Sequence, residues 1–505
     1  MNHIRTLFLA LVFVVLSVPS VMAQVPTVRV ASAVAPRNFA DPLMFDAANS
    51  IIPSIFDGLT SIGRNGALEP ALATDWMPLS DTRWRIKLRE GVVFSDNSTF
   101  DADDVVYSLL LIANTDDATV GVKREAGTID KVIAIDPLTV EIETSEPDGL
   151  LMRKLARLKI IPSKALDNVS RLEFAMSPVG TGSFQVEGWR KSGRSVDLIA
   201  VPSSWRRSAQ IERVIIDTFP DAVTRLQAIL SDSVDIAAGI DPDAIEVLEA
   251  DGFRVIVEPE PINMAVALRV ADGSNPALKD QRVRHALNYA IDKKSISNNL
   301  LGGKLRVAEQ IATAGLIGHL VDVDPYSYDP IRARALMADA GYPQGFDLKI
   351  AVAPGQVPGD SLVYQVMSQD LAAVGVNVEL RPIIMSDLMR RQASGDWGDI
   401  DAFSTGLSNY YLGDVSRTIE NASCLNPMPW FCDPELTKRI IDSGRLVDEN
   451  QRRESLESIM QEMHELAPTI LLVQYSSVFA VAPTVKSFAA TTDQIYFHRM
   501  NVELN

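Results

Sequence analysis

The first half of the chain contains short segments in which hydrophobic and polar residues alternate. Residues 84–89 alternate tryptophan, isoleucine and leucine with basic residues, and residues 27–31 repeat this period of two. Such alternation puts successive side chains on opposite faces of a β-strand, so each segment predicts a half-buried strand. Residues 132–135 and 139–142, separated by an Asp-Pro turn, predict a hairpin. Two more apolar segments predict short buried strands: 214–216 and 255–257.

From about residue 275 the hydrophobic period changes from two to 3.6. Asp280 precedes a segment with apolar residues at helical spacing, which predicts a capped helix with one buried stripe. The stripe consists of Val283, Ala286, Leu287, Ala290 and Ile291. Arg282 and Arg284 fall opposite this stripe, so the pattern predicts that they form ion pairs at the surface or between elements.

Further helices and strands follow in alternation. Asp-Pro at 329–330 predicts a helix start, because proline is tolerated at the first helical position, and Gly341 predicts its end. The next helical pattern stops at Gly375 and continues as the alternating strand 376–380. A last helix is predicted from about 454 to 466, before a buried strand. This order of elements predicts an α/β fold.

The first 23 residues have the pattern of a cleaved secretory signal. His3 and Arg5 precede an apolar run from 7 to 18, and small residues lead up to Ala23. A run of about a dozen residues is too short to cross a hydrocarbon core of about 30 Å. A membrane anchor that stays attached is the alternative, which the small residues before Gln24 disfavour. Because Gln24 is not cysteine, we expect no lipid anchor and a freely diffusing periplasmic protein, cleaved after Ala23.

Length and charge narrow the class of protein. Without the signal, the 505-residue chain still exceeds the about 250–300 residues at which single cores stop growing, so two or more lobes are expected. Hydrophobic residues make up 47% of the chain, enough for large cores. The net charge of −18 argues against a nucleic-acid or anionic-membrane surface.

The chain has two cysteines, Cys424 and Cys432, which bracket a segment rich in turn-forming residues. In an oxidising compartment they predict a disulfide that closes a small loop. The alternative is part of a metal site, for which the sequence offers no nearby histidine cluster.

Catalytic and cofactor motifs are absent from the sequence. Gly302-Gly303-Lys304 lacks the glycine spacing of a phosphate-binding loop, and His464-Glu465 lacks the second histidine of a zinc helix. Ser183 stands beside glycines, but not in the order that exposes a nucleophile. We therefore predict no enzyme activity, no cofactor and no metal ligands.

Five segments resemble the bacterial extracellular solute-binding proteins of family 5, which serve peptide, opine and nickel ABC importers. The most specific segment begins Trp-Arg-Ile-Lys-Leu-Arg-Glu-Gly-Val-Val-Phe-Ser-Asp-Asn at residue 84, and another reads Arg-Val-Arg-His-Ala-Leu-Asn-Tyr-Ala-Ile-Asp from residue 282. The five segments are 84–108, 178–184 with Trp189 and Trp205, 282–292, 328–346 and 371–378. They occur in the family's order and span nearly all of the mature chain.

The resemblance implies an α/β, two-lobed periplasmic binding protein, type II-like and of cluster C, with an extra subdomain in lobe I. Lobe I is expected over 24–265, with the inserted subdomain at about 67–178, and lobe II over 266–475. Residues 476–505 return to lobe I. The lobes are expected to close over ligand by a hinge motion.

The resemblance also implies where ligand binds, and this chain departs from the dipeptide-binding members there. Those members hold the peptide ammonium with an aspartate after a Thr-Gly pair and its carboxylate with an arginine in an earlier loop. Here Thr405-Gly406 precedes Leu407, and the loop 353–360 has no arginine. Because an unpaired buried charge is costly, we expect a ligand other than a simple dipeptide.

The expected function is the substrate-binding component of an ABC importer, acting as a monomer with a small polar ligand and a membrane permease as partners. A peptide, opine or sugar conjugate is the expected ligand, and aromatic rings, amides and a carboxylate are the expected contacts. The candidate residues are Tyr410, Tyr411, Asn409, Gln356, Asp414, Trp430 and Phe45. Each aromatic candidate could instead be ordinary packing.

Other functions remain open at this stage. A nickel or metal-chelate binder on the same fold is the first alternative, although histidines are few. A secreted hydrolase would need a catalytic pair that the sequence does not show. A sensor or periplasmic chaperone is a third alternative, which the same fold permits.

Overall fold

The computed structural model describes residues 26–35, 37–44, 51–63, 65–115, 118–206, 210–271, 275–300, 302–355, 359–409, 412–491 and 494–502. Within these ranges the chain forms 21 strands and 15 α-helices. The strands are β1 (Thr27–Ser32), β2 (Arg37–Ala40), β3 (Thr60–Ile62), β4 (Leu68–Pro70), β5 (Ala73–Ser80), β6 (Arg83–Leu88), β7 (Ile129–Asp136), β8 (Thr139–Thr144), β9 (Phe184–Arg190), β10 (Ser195–Ala200), β11 (Arg213–Thr218), β12 (Ile236–Ala238), β13 (Arg254–Leu268), β14 (Phe346–Val352), β15 (Val376–Pro382), β16 (Ala402–Ser408), β17 (Thr469–Val481), β18 (Val485–Ser487), β19 (Ala490–Thr491), β20 (Gln494–Ile495) and β21 (Asn501–Val502).

The helices are α1 (Ile52–Ile55), α2 (Ala102–Asn114), α3 (Val120–Ala126), α4 (Leu151–Lys154), α5 (Arg171–Met176), α6 (Ala222–Leu230), α7 (Ile245–Ala250), α8 (Gln281–Tyr289), α9 (Lys293–Ser295), α10 (Pro330–Asp339), α11 (Asp360–Ala372), α12 (Met385–Ser394), α13 (Ser416–Asn421), α14 (Pro434–Arg445) and α15 (Glu449–Leu466).

The main sheet has ten strands in the order β15-β14-β16-β13-β17-β12-β1-β11-β10-β9. We call β12, β1, β11, β10 and β9 the first half-sheet, and β15, β14 and β16 the second half-sheet. β1 pairs parallel with β11 and β12, and β14 pairs parallel with β15 and β16. Separate buried clusters pack on the two half-sheets, one around Val28, Val214 and Phe479, and another around Leu348, Phe403 and Leu471. β13 and β17 are thus the strands between two cores.

A smaller sheet, in the order β5-β6-β8-β7, packs against α2. We call β5 to β8 with helices α2 to α4 the four-stranded unit. Its own hydrophobic core contains Trp84, Ile86, Leu109 and Leu151. The predicted hairpin of 132–135 with 139–142 is present as the antiparallel pair β7 and β8. The unit lies where the sequence predicts an inserted subdomain, while the predicted domain boundaries stay predictions.

Side-chain caps begin several helices, and the sequence predicts those of α8 and α10. The side chain of Asp101 accepts a hydrogen bond from the backbone N–H of Asp103 at 2.9 Å, and that of Asp104 accepts one from the N–H of Asp101 at 2.9 Å. Asp280 and Asp329 cap α8 and α10 in the same way. Each cap satisfies N–H groups that lack partners within the first helical turn, which sets the start of the helix.

Two sequence expectations differ from the structure. The segment 255–257 is not a short strand but the start of β13, which has 15 residues. Arg284 is not at the surface: it is 3% exposed, and its guanidinium donates to the carbonyls of Leu278 at 2.9 Å and Leu466 at 2.8 Å. Helix ends carry carbonyls without helical partners, and a buried arginine can satisfy several of them. Burial lowers the pKa of Arg284 to about 10.

Candidate functional site

Two long strands connect the half-sheets. β13 has 15 residues and β17 has 13, and they pair antiparallel with each other. The first part of β13 pairs with residues 476–481, next to the first half-sheet, and its last part pairs with residues 469–474, next to the second. The register shifts between Pro259 and Asn263. The hydrogen-bond ladder is therefore interrupted where the chain passes from one half-sheet to the other.

The sequence explains this interruption. Pro259 and Pro261 have no backbone N–H and cannot donate to the ladder. Side chains supply hydrogen bonds in place of the ladder: Gln474 Nε2 donates to the carbonyl of Glu260 at 2.7 Å, and Ser477 Oγ donates to Glu260 Oε1 at 2.5 Å. We call the region of these residues the crossing. Side-chain hydrogen bonds adapt to rotation more readily than a paired ladder, so the crossing has the construction of a hinge.

Asn409 ties the end of β16 to the crossing. Its backbone N–H donates to the carbonyl of Pro261 at 2.7 Å, and its Nδ2 donates to the carbonyl of Ile311 at 3.0 Å. Its Oδ1 accepts a hydrogen bond from Thr418 Oγ1 at 3.0 Å, and the residue is fully buried. These bonds fix the chain that leads into Tyr410, while ligand contact by Asn409 stays a prediction.

Four of the seven predicted ligand-binding residues lie outside the described residues: Phe45, Gln356, Tyr410 and Tyr411. Tyr410 and Tyr411 follow Asn409 directly, and Gln356 follows Gly355, whose N–H donates to Asp360 Oδ1 at 3.1 Å. Their role in binding stays a prediction.

Asp414 has protein partners at both carboxylate oxygens. Its Oδ2 lies 2.5 Å from Arg452 Nη1, and its Oδ1 accepts a hydrogen bond from the N–H of Ser416 at 2.9 Å. The side chains of Asp414 and Arg452 are 0% and 1% exposed. A ligand ammonium would have to displace Arg452, and binding of an ammonium by Asp414 stays a prediction.

Trp430 lies in the loop that the predicted disulfide closes. The bond between Cys424 and Cys432 is present, which confirms that prediction. Trp430 is 8% exposed and packs edge-on against Phe403 with ring centroids 6.4 Å apart. Its carbonyl accepts a hydrogen bond from the N–H of Val270 at 2.8 Å. Trp430 is therefore part of the core of the second half-sheet, and its contact with ligand stays a prediction.

The buried Tyr364 and the partly buried Tyr475 lie close to carboxylates near the crossing. Burial, with Asp360 nearby, raises the pKa of Tyr364 well above its usual range. Burial also raises the pKa of Tyr475, where Tyr364, Asp360 and Glu260 act in the same direction. Both hydroxyls therefore stay protonated and neutral at physiological pH. Asp360 ends the loop in which dipeptide-binding members are expected to carry an arginine, and it is 3% exposed.

Sequence reasoning missed a set of buried ion pairs beside the candidate residues. Arg153, Arg417 and Arg452 all have side chains at most 6% exposed and lie against carboxylates. Arg153 offered a detectable sign, because it and Lys154 interrupt the apolar residues of 150–155 on a short helix. A charge at such a position needs a buried partner. The partner Glu449 is almost 300 residues away, and local patterns do not reveal such pairs.

Two further observations concern metal ligands and membrane-spanning helices. Among the described residues, no group of three or more His, Cys, Asp or Glu side chains could hold a metal ion. None of the described helices is long and apolar enough to cross a membrane.

Comparison with known proteins identifies the family. The model of "Bacterial extracellular solute-binding proteins, family 5 Middle" matches residues 67–426. A heme-binding protein A of Haemophilus influenzae is 24% identical over 90% of this chain and 88% of its own length. A dipeptide-binding protein of Escherichia coli is 24% identical over 86% of each chain.

A solved structure has the same architecture. HbpA2 of Haemophilus parasuis superposes with a TM-score of 0.82 at 21% identity, covering 95% of this chain and 100% of that one. The likeness confirms the predicted fold class, a two-lobed α/β periplasmic binding protein.

Proposed function

We propose that this chain, which belongs to the bacterial extracellular solute-binding proteins of family 5, captures a peptide, opine or similar small polar solute for an ABC importer. The solute is bound between two lobes built on the two half-sheets and is delivered to a membrane permease. The protein works in the periplasm, after cleavage behind Ala23, as a monomer and without catalysis. N-terminal sequencing of the exported protein tests the cleavage: a start at Gln24 is expected.

One observation carries the proposal: two separately packed half-sheets are joined through β13 and β17, and the ladder of these strands is interrupted at the crossing. A protein that encloses a solute needs two rigid bodies and a joint between them. The candidate residues 409–411 follow β16, and the N–H of Asn409 donates to the carbonyl of Pro261 at the crossing. The ligand is therefore expected beside the joint, where closure brings the lobes together.

The relatives do not fix the ligand, because their names include heme and dipeptides. The region of Asp360, Tyr364 and Tyr475 supports a choice among solutes. Two neutral hydroxyls and a carboxylate stand there in place of the arginine expected of dipeptide-binding members. If the solute meets this region, a free peptide carboxylate would lie close to the carboxylate of Asp360. Opines, sugar conjugates, modified amino acids and longer peptides held through their backbones are better candidates than simple dipeptides.

Mass spectrometry of protein purified from the producing cells tests the ligand class. We expect one organic solute per chain, released on unfolding and different from a free dipeptide. Recovery of a dipeptide would contradict the ligand inference, and a chelated metal ion would favour the metal-chelate alternative. A solute that is chemically converted during incubation with the protein would contradict a pure binding function.

Titration calorimetry with the released solute tests the site. Tyr410→Ala or Tyr411→Ala is expected to weaken binding at least tenfold, about 1.4 kcal/mol, if that ring contacts the solute. Tyr328→Ala is a matched control, because Tyr328 is 46% exposed on the surface before α10. Unchanged affinity in both tyrosine variants would remove residues 410–411 from the site.

A further inference from the structure

The four-stranded unit meets helices α13 to α15 through buried ion pairs, at a contact separate from the crossing. Arg417 Nη2 on α13 lies 2.8 Å from Glu125 Oε2 on α3, and the two side chains are 6% and 2% exposed. Arg157 Nε, after α4, lies 3.7 Å from Glu125 Oε1. A carboxylate of the unit is thus buried between arginines from both sides of the contact.

Arg153 joins the two sides directly. Its Nη1 donates to the carbonyl of Gly66 at 2.7 Å and to the carbonyl of Leu412 at 2.8 Å. Its Nη2 lies 3.3 Å from Glu449 Oε1, and its side chain is 2% exposed. The guanidinium therefore holds the turn that follows Tyr411 against the turn between β3 and β4.

Glycines let the backbones approach closely at the same contact. A Cβ atom on Gly66 would lie 2.5 Å from the carbonyl oxygen of Gly413. A Cβ atom on Gly149 would lie 1.8 Å from the carbonyl oxygen of Leu446, and the N–H of Gly149 donates to the carbonyl of Gly444 at 2.9 Å. The contact leaves no space for side chains at these positions, so it forms only when the two sides meet fully.

We propose that Arg153, Arg417 and Glu125 are positioning residues that hold the turn 412–414 against the four-stranded unit and thereby set the balance between open and closed protein. The proposal rests on the proposed function for the meaning of closure. Residues 412–414 follow the candidate residues 409–411 in the chain.

The physical reason lies in the different surroundings of these charges in the two states. We take the arrangement described, in which the two sides meet, as the closed state; in it Glu125 is buried between Arg417 and Arg157. Arg417 can keep its partner Glu420 on its own helix in either state, but its bond to Glu125 exists only when the two sides meet. Removing Glu125 therefore takes an attraction from the closed state alone and shifts the population toward the open state.

Cross-linking of the ligand-free protein measures the closed population. Glu146 and Arg445 form an ion pair across this contact, with Arg445 Nη2 2.8 Å from Glu146 Oε2, and their side chains are 51% and 48% exposed. Replacing both by cysteine, E146C with R445C, gives a pair for a short bis-maleimide. The two natural cysteines are joined in a disulfide, so these are the reactive thiols. Because the cross-linked product accumulates, its rate of formation measures the closed population even when that population is small.

In this background, Arg153→Gln and Glu125→Gln are each expected to lower the cross-linking rate at least about fivefold. Arg390→Gln is the control: Arg390 pairs with Asp387 on its own helix, α12, and should leave the rate unchanged. Circular dichroism identifies variants that have not folded. If Arg153→Gln does not fold, the isosteric Glu125→Gln decides the test.

Cross-linking at the wild-type rate in folded variants would overturn the proposal, as would an equal loss of rate in Arg390→Gln. No solute is needed, so failure to find a ligand would contradict the proposed function without changing this result.

Discussion

The two halves of the molecule meet at the crossing and at the contact of the four-stranded unit with α13 to α15, and the chemistry of these places differs. At the crossing, the amide of Gln474 donates to the backbone carbonyl of Glu260, and the hydroxyl of Ser477 donates to the carboxylate of Glu260, beside two prolines. At the contact, arginines are buried against carboxylates, and glycines admit the opposite backbone. Hydrogen bonds from amide and hydroxyl groups can be exchanged with water at little cost, whereas buried ion pairs depend on complete assembly. The crossing is therefore suited to movement and the contact to holding one arrangement.

The largest expected effect comes from breaking the buried pair behind the contact. Arg452→Met leaves the carboxylate of Asp414 buried without its cation, and should lower the free energy of unfolding by about 3–5 kcal/mol. Urea unfolding measures this change. Adding Asp414→Asn removes the unpaired charge and should restore part of the loss. If Arg452→Met lowers the free energy of unfolding by less than about 1 kcal/mol, Asp414 and Arg452 interact no more strongly than an exposed ion pair.

Removing a buried lysine should change stability in the opposite direction, because burial disfavours the charged form of its side chain. Lys293 is 3% exposed, and its Nζ has no hydrogen-bond partner among the described residues. Burial lowers the pKa of Lys293 to about 7, partly offset by Asp324 and Glu309. Between pH 7 and about 10.4 the unfolded chain carries a proton there that the folded chain lacks, so stability rises with pH across this window.

Lys293→Met should therefore stabilise the protein at pH 7 by about 3 kcal/mol, and the gain should shrink as the pH approaches 10. Urea unfolding at pH 7 and pH 10 measures both values. The neighbouring Lys294 is exposed, so Lys294→Met serves as the control. It should leave the free energy of unfolding unchanged at both pH values. An equal gain at the two pH values would contradict the assigned protonation.

Glycine at the contact gives the next largest effect. Gly149→Ala adds a methyl group that would lie 1.8 Å from the carbonyl oxygen of Leu446, so the closed state should lose stability. Affinity for the solute released from the native protein should fall about tenfold, 1.4 kcal/mol, as measured by calorimetry. Gly444→Ala is the matched control, because no atom lies within 4 Å of its added carbon. Equal affinity in both variants would show that the contact does not form during binding.

The smallest effect is expected at the exposed edge of the same contact. Arg445→Gln removes an ion pair with Glu146 in which both partners are about half exposed. Exposed pairs contribute about 0–1 kcal/mol, so affinity should change less than threefold, and less still at high salt. If Arg445→Gln lowers affinity as much as Gly149→Ala does, the buried and exposed parts of the contact do not differ in their contribution to binding.

Local patterns predict much of the fold but little of either meeting place. The caps at Asp101, Asp280 and Asp329 and the helix end at Gly375 are visible in the sequence, because each acts on its nearest neighbours. The small disulfide loop is visible for the same reason. Arg284 was misjudged, because the carbonyl of Leu466 that it satisfies is 182 residues away. The pair of Glu125 with Arg417 spans 292 residues and leaves no local pattern at all.

If two lobes close over a small polar solute by moving at the crossing, the size of the protein in solution depends on bound solute. Small-angle scattering measures this size, with the solute released from the native protein as the ligand. We expect a smaller radius of gyration when solute is added to the stripped protein, and the larger value when solute is removed again. The same radius of gyration in both states, under conditions where calorimetry shows full binding, would contradict closure of the lobes.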